Sequence, residues 1–345
     1  MSLALRAWSQ KLLTMENDSP ISYSAVGSGI GLVFPGQGSQ SVGMGRELYD
    51  AHPVARKAYE DAGQILGYDV AALCFKGPPE RLNLTEHTQP ALLTASVAAL
   101  RVLELAVHPA GLRPVAVAGH SLGEYTALVA AGGLTFGAAV SLVQKRGRYM
   151  AEAVPAESGL VAAMLGLSSE AVQEVCREAS RVGVVAPANW NCPGQVVIAG
   201  EKPAVEKAIE LAKAKGCRKA IPLPVSVPVH TPLMQAAADR LAVDVAATNW
   251  SDLTVPLVNN ADAKPLRHAV EVTASLIRQL PSPVRWEESV RVMRGLGVRT
   301  FVEVGPGSVL TGLVKRIVPE AETLNVHDPK SLEATLKTLS VTRGA

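Results

Sequence analysis

Residues Val115-Ala116-Val117-Ala118-Gly119 run into His120-Ser121-Leu122-Gly123 and then into Glu124-Tyr125-Thr126-Ala127-Leu128-Val129. A short β-branched apolar run, a turn bounded by glycines and a helix-forming stretch give strand, tight turn, helix. This is a nucleophile elbow, and it constrains the chain more than any other feature. Gly119 and Gly123 stand where a Cβ would crowd the neighbouring strand and helix, so Ser121 can occupy a strained turn with its hydroxyl exposed. The helix aims its N-terminus at the serine, which lets backbone N–H groups near Leu122 face an oxyanion. A bare G-x-S-x-G also arises by accident in loops; the strand before and the helix after favour a nucleophile here.

Composition fits an α/β protein with a large core. The chain has 345 residues, 48% hydrophobic, with 29 Gly and 23 Pro. Aromatics are only 4% and the formal net charge is +2, with Lys and Arg dispersed. Neither stacking platforms nor a basic face for nucleic acid is indicated. Cys74, Cys176, Cys192 and Cys217 are scattered without a C-x-x-C pair, which indicates no disulfide framework and no zinc site and fits a reducing, cytoplasmic setting. No apolar run reaches the roughly 18 residues needed to span a bilayer, so no membrane association is expected.

Residues 1–28 match the rest poorly and read as a disordered extension, with a short amphipathic helix over Leu3–Leu13. The fold is expected to begin at Gly31-Leu32-Val33-Phe34, a buried strand running into Pro35-Gly36-Gln37-Gly38-Ser39-Gln40. Such a turn presents free backbone N–H groups at the carboxyl end of a sheet, where α/β sites lie. Helices are expected over Gly45–Leu66, Gln89–Leu105 and Phe136–Ala153. The last carries Lys145, Arg146 and Arg148, which cannot all face one way on a helix; surface solvation is the default for each.

From Gly159 the texture changes to strand (Gly159–Leu165), helix (Ser168–Arg181), two strands (Val182–Asn189, Gln195–Ala199), helix (Pro203–Lys215) and strand (Arg218–Leu223). This βαββαβ order is ferredoxin-like and reads as a small subdomain, 155–224, inserted in a large α/β-hydrolase-like domain with a parallel sheet, 29–154 and 225–345. The chain returns through Pro222-Leu223-Pro224-Val225-Ser226-Val227-Pro228-Val229-His230, where three prolines pin an extended segment. Further on come Val255–Asn260, a helix over Val270–Leu280, a strand running from Thr300 into Gly305-Pro306-Gly307, and a helix over Leu310–Ile317 bearing Lys315 and Arg316.

A serine hydroxyl needs a base within hydrogen-bond reach, and His230 is the candidate for Ser121. A lone histidine is more often structural, but this one ends a rigid path that re-enters the large domain. His120 is the rival, pointed differently by the turn. No Asp follows in a convincing triad position; a backbone carbonyl could instead accept the other ring N–H.

These residues resemble a known family. Gly119-His120-Ser121-Leu122-Gly123-Glu124-Tyr125 with Phe34-Pro35-Gly36-Gln37-Gly38-Ser39-Gln40 is similar to the malonyl-CoA:acyl carrier protein transacylases, the loading enzymes of type II fatty acid synthesis. The likeness continues through Thr88–Leu92, Asn189–Gln195, Val225–His230, Val258–Asn260 and Val304–Gly307. The resemblance implies that Ser121 is the acylated nucleophile and His230 its base. It also implies that the Gln37 and Leu122 N–H groups form the oxyanion hole, that the Gln279 backbone carbonyl holds the histidine, and that Arg146 grips the malonyl carboxylate. Gln89 and Met150 would line the pocket with Val229, an apolar residue where a serine is often found. Lys315 and Arg316 resemble basic residues suited to an acidic carrier protein. The implied chemistry is ping-pong transfer from malonyl-CoA to a phosphopantetheine thiol, with no metal or redox cofactor. A discrete acyltransferase of a polyketide synthase would keep the same residues; a serine hydrolase would leave Arg146 without purpose, and a non-catalytic carrier-protein-binding module would not need Ser121 and His230.

Overall fold

The computed structural model describes residues 29–107, 111–155, 158–223 and 227–341. The expected extension over 1–28, with its amphipathic helix, lies outside them, as do Pro224, Val225 and Ser226. Among the described residues ten strands form two sheets: β1 (Ile30–Phe34), β2 (Ala116–Gly119), β3 (Gly159–Leu165), β4 (Val185–Cys192), β5 (Gln195–Glu201), β6 (Lys219–Pro222), β7 (Leu257–Val258), β8 (Pro265–Leu266), β9 (Thr300–Val304) and β10 (Glu322–Val326). The larger sheet has the order β10-β9-β1-β2-β7-β8. Its first five strands are mutually parallel, and β8 turns back antiparallel to β7. β1 and β2 are buried along their whole length, as strands covered by helices on both faces must be.

The second sheet is antiparallel, in the order β4-β5-β3-β6, with the helices Ser169–Ala179 and Lys202–Ala214 packed on a core of their own. Its strand order is ferredoxin-like. It meets the larger unit where Trp190 N–H donates to the Val284 carbonyl at 2.9 Å and Val284 N–H to the Ala188 carbonyl at 2.8 Å.

Several elements differ from the sequence expectation for local reasons. The helix expected over Gly45–Leu66 is two, Arg46–Ala51 and Pro53–Leu66, because the residue before Pro53 is driven to extended backbone: His52 has φ −127° and ψ 119°. The helix expected from Gln89 starts at Thr85 and runs through Pro90 to Ala106. It is long and apolar enough to cross a membrane, yet its apolar stretch is 78% buried inside the protein. β4 is displaced toward the C-terminus relative to Val182–Asn189. Of the expected extended segment, the described residues before His230 lead into a tight turn, with His230 at φ 60° and the Thr231 hydroxyl donating to the Pro228 carbonyl at 2.7 Å. The edge strand β10 and the helix Pro329–Val341 carry weak patterns and were not expected.

Candidate active site

Three neighbouring strands deliver their following loops to one place. β2 sits between β1 and β7, with Phe34 in register with Gly119. Past the end of β2, His120 N–H still donates to the Phe34 carbonyl at 3.0 Å, so the Pro35-Gly36-Gln37 loop leaves beside the elbow. Past β7, Asn260 reaches across: Ser121 N–H donates to Asn260 Oδ1, and Asn260 Nδ2 donates to the Gly119 carbonyl, both at 2.7 Å. Ser121 has φ 52°, a left-handed conformation that costs an L-residue free energy and is held by these two bonds. A Cβ on Gly119 would run into the Gly123 carbonyl, so the turn closes only with glycine there.

Ser121 Oγ lies 2.7 Å from His230 Nε2. On the far side of the ring, Nδ1 faces two carbonyls, Gln279 at 3.0 Å and Ser282 at 3.2 Å. Both are acceptors, so Nδ1 carries the proton and Nε2 is left to accept from the serine hydroxyl. Burial, reinforced by the charge of Arg146 and opposed by the Gln279 carbonyl, pushes the imidazole down to about 3. It is therefore neutral at physiological pH. His120, the rival base, is turned away: its Nε2 pairs with Asn191 Oδ1 of β4 at 2.9 Å, and its ring lies against Trp286.

Arg146 is 1% exposed. On its helix, Phe136–Glu152, it falls in the same stripe as the buried Val143 and Met150, whereas Lys145 pairs with Asp244 and Arg148 with Glu152 at the surface. The helix can approach Thr85–Ala106 because Gly147 has no Cβ; one would stand 2.6 Å from the Thr85 carbonyl. Arg146 Nη1 donates to Gln89 Oε1 at 2.7 Å, and Nη2 donates to Gln279 Oε1 at 3.0 Å and to Ser121 Oγ at 3.1 Å. All its acceptors among the described residues are neutral oxygens, and its Nε has none. A buried guanidinium without a carboxylate is unfavourable by itself. Gln89 Nε2 also donates to Met150 Sδ at 3.3 Å, so both expected lining residues stand beside the arginine. Val229, half-buried, adjoins His230.

Gln37 is anchored through its side chain, whose Nε2 donates to Thr85 Oγ1 at 3.1 Å. Neither its backbone N–H nor that of Leu122, the residue that opens the helix Gly123–Ala130, meets an acceptor among the described residues. Lys315 and Arg316 share no hydrogen bond with this cluster. They are exposed on the helix Val309–Ile317, where Lys315 donates to the Ala321 carbonyl and Arg316 to Gln195 Oε1 and the Pro193 carbonyl.

Sequence reasoning missed three side chains here. Asn260 holds the elbow as described. Glu124, fully buried, accepts at Oε2 from Asn260 N–H at 3.0 Å and from Gln279 Nε2 at 2.8 Å. The Gln279 side chain also donates to the Ser121 carbonyl at 3.0 Å, so this residue contributes far more than its backbone carbonyl. The Asn-Asn pair at the end of Val255–Asn260 was the available signal for Asn260; an acid in the first turn of a helix gives none for Glu124.

Comparison with known proteins gives one consistent result. Residues 32–332 match the family described as the acyl transferase domain. The malonyl CoA-acyl carrier protein transacylase of Escherichia coli strain K12 is 49% identical over 305 residues, 88% of this chain and 98% of that protein. Among solved structures, an acyl carrier protein S-malonyltransferase from Vibrio cholerae O1 biovar eltor superposes with a TM-score of 0.86 at 48% identity, covering 89% of this chain and 100% of that one. A malonyl-transacylase in complex with a type II PKS acyl-carrier protein gives 0.88 at 47%, covering 90% and 100%.

Proposed function

The chain belongs to the acyl transferase domain family, and on that premise we propose that it works by a ping-pong mechanism with a malonyl-serine intermediate at Ser121. The enzyme is an acyltransferase: it moves malonyl from malonyl-CoA to acyl carrier protein, supplying fatty acid synthesis. In the first half-reaction Ser121 Oγ attacks the thioester carbonyl as His230 Nε2 takes its proton. The Gln37 and Leu122 N–H groups receive the oxyanion. Collapse breaks the C–S bond, and CoA leaves with the proton from His230. The second half-reaction reverses these roles: the phosphopantetheine thiol gives its proton to His230 and attacks the ester carbonyl, and Ser121 Oγ departs with that proton.

The observation that carries this reading is Arg146, a buried cation 3.1 Å from Ser121 Oγ whose acceptors among the described residues are all neutral. A malonyl carboxylate bound bidentately would satisfy it, and an acetyl group would leave it unpaired. The small unit, taken as residues 155–224, borders the site through Asn191. The four cysteines are all free among the described residues, which supports a cytoplasmic setting. The test is intact-protein mass after brief incubation with malonyl-CoA or acetyl-CoA. A malonyl adduct on the wild type but not on Ser121→Ala is expected; an adduct on both variants, or none on either, would overturn the assignment. A second reading, service to a polyketide synthase, is supported by the likeness to the transacylase held with a type II PKS carrier. Equal transfer rates to fatty acid and polyketide carriers would favour it.

A further inference from the structure

Glu124 lies behind the reacting atoms, and the mechanism above does not use it. Its Oε2 takes two donors, Asn260 N–H and Gln279 Nε2, whereas its Oε1 has none among the described residues. The Gln279 amide is thus held between opposite charges, its oxygen accepting from Arg146 and its nitrogen donating to Glu124. Turned over, it would set donor against donor at Arg146 and acceptor against acceptor at Glu124, so the two charged side chains fix its orientation. That amide also donates to the Ser121 carbonyl, and the Gln279 backbone carbonyl holds His230. Asn260, whose N–H rests on Glu124, holds the Ser121 N–H. Nucleophile, base and carboxylate anchor are each at most two hydrogen-bonded residues from one buried carboxyl group.

We propose that Glu124 is the positioning residue and counter-ion of the carboxylate site: ionised, it balances Arg146 across the Gln279 amide, and it takes a proton from solvent when the malonyl carboxylate docks on Arg146. This rests on the reading of Arg146 given above. Two carboxylates sharing one buried cation disfavour each other's ionised forms, and the one already in the wall is the one able to neutralise. The groups facing Glu124 are few. Arg146 favours its anion; Asp262, in the loop after β7, opposes it and is itself paired with Arg278 of the helix Ala269–Gln279 at 2.6 Å. Tyr125 is its chain neighbour, and His230 is neutral. Burial, the largest influence, raises the carboxyl to about 7, so the proton exchange falls within the working range of pH.

The experiment is calorimetric titration of Ser121→Ala with malonyl-CoA and with acetyl-CoA, in buffers of different ionisation enthalpy and over a range of pH. The chemistry is blocked, so binding alone is read. Uptake of a fraction of a proton per malonyl-CoA is expected near pH 7. Malonyl affinity should fall above that, by up to about tenfold per pH unit, with neither effect for acetyl-CoA. Ser121→Ala/Glu124→Gln keeps an oxygen for the same two donors but cannot titrate, and both effects should vanish in it. Malonyl binding without proton uptake in Ser121→Ala, or unchanged uptake in the double variant, would overturn the proposal. If the double variant does not fold, the contrast between malonyl-CoA and acetyl-CoA in Ser121→Ala decides it. Equal affinity for the two thioesters would instead overturn the reading of Arg146, and this proposal with it.

Discussion

Replacing Arg146 by alanine separates recognition of the acyl group from the chemistry done on it. In the wild type the guanidinium is 1% exposed and has no anionic partner among its described acceptors, so an incoming carboxylate meets an already desolvated cation. A hydrogen bond to a charged group contributes about 1.5–3 kcal/mol. Two parallel ones between guanidinium and carboxylate therefore amount to roughly 3–6 kcal/mol, which is about 10²–10⁴-fold in kcat/KM for malonyl loading. Acetyl loading has no such pair to lose. It forfeits only the Nη2 bond to Ser121 Oγ, one such bond, or about 10–10²-fold. The malonyl-to-acetyl ratio should thus fall by about 10–10²-fold, because the malonyl arm loses one bond more than the acetyl arm.

The assay is the rate of acyl-enzyme formation by intact mass for each donor, with thermal unfolding as a control, since the substitution leaves Gln89 Oε1 and Gln279 Oε1 without their donor. Arg146→Lys should fall between the two, because an ammonium supplies the charge without the planar fork. An Arg146→Ala enzyme that folds and still prefers malonyl by the wild-type factor would refute the reasoning.

Three further outcomes follow from the burial of His230 and the helix packing at Gly147. With its imidazole held down to about 3, His230 remains neutral as pH falls through the ordinary histidine range, so the kcat/KM profile for malonyl loading should show no acid limb near 6.5; a limb there would mean that His230 is not the base or is not buried during loading. Because the folded-state pKa is depressed, the unfolded chain gains a proton first, and the stability present above about pH 6.5 is lost as pH falls toward 3, by up to about 1.4 kcal/mol per unit, measurable by denaturant unfolding at stepped pH. Gly147→Ala would place a Cβ 2.6 Å from the Thr85 backbone carbonyl, separating the helices that carry Arg146 and Gln89. It should cost about 1–3 kcal/mol of stability and reduce malonyl loading more than acetyl loading; an equal effect on both donors would show that helix spacing does not set the arginine.

The elbow was legible because every requirement it meets is local: a β-branched run, glycines on either side of the serine and a helix, all contiguous in the chain. The ferredoxin-like order was legible for the same reason, as alternating patterns of two kinds in an unbroken stretch. Where expectation and structure parted, a local signal was weak or misleading. Pro53 split a helix whose apolar periodicity runs across it, Pro90 was accommodated inside a helix that starts at Thr85 rather than at Gln89, and the prolines before His230 lead into a turn with positive φ.

Charge and partner, unlike local shape, are set by distant residues, and this is why the site was only half readable. Arg146 sat in a run of three basic residues whose default is solvation, and only the resemblance singled it out. A helical count from Val143 through Arg146 to Met150 places it on the buried stripe, a signal present in the sequence. Glu124 and Gln279 had no such signal: their bonds to each other, to Asn260 and to Ser121 span from 136 to 158 positions of chain. An acid in the first turn of a helix is expected to face solvent and answer the helix dipole. Here it faces inward, because the helix begins at the elbow and its first turn lies under the loops from β7 and from the end of Ala269–Gln279. The cost of burying that acid is offset only by the groups it organises, and these are the nucleophile's backbone, the histidine's acceptor and the arginine's partner.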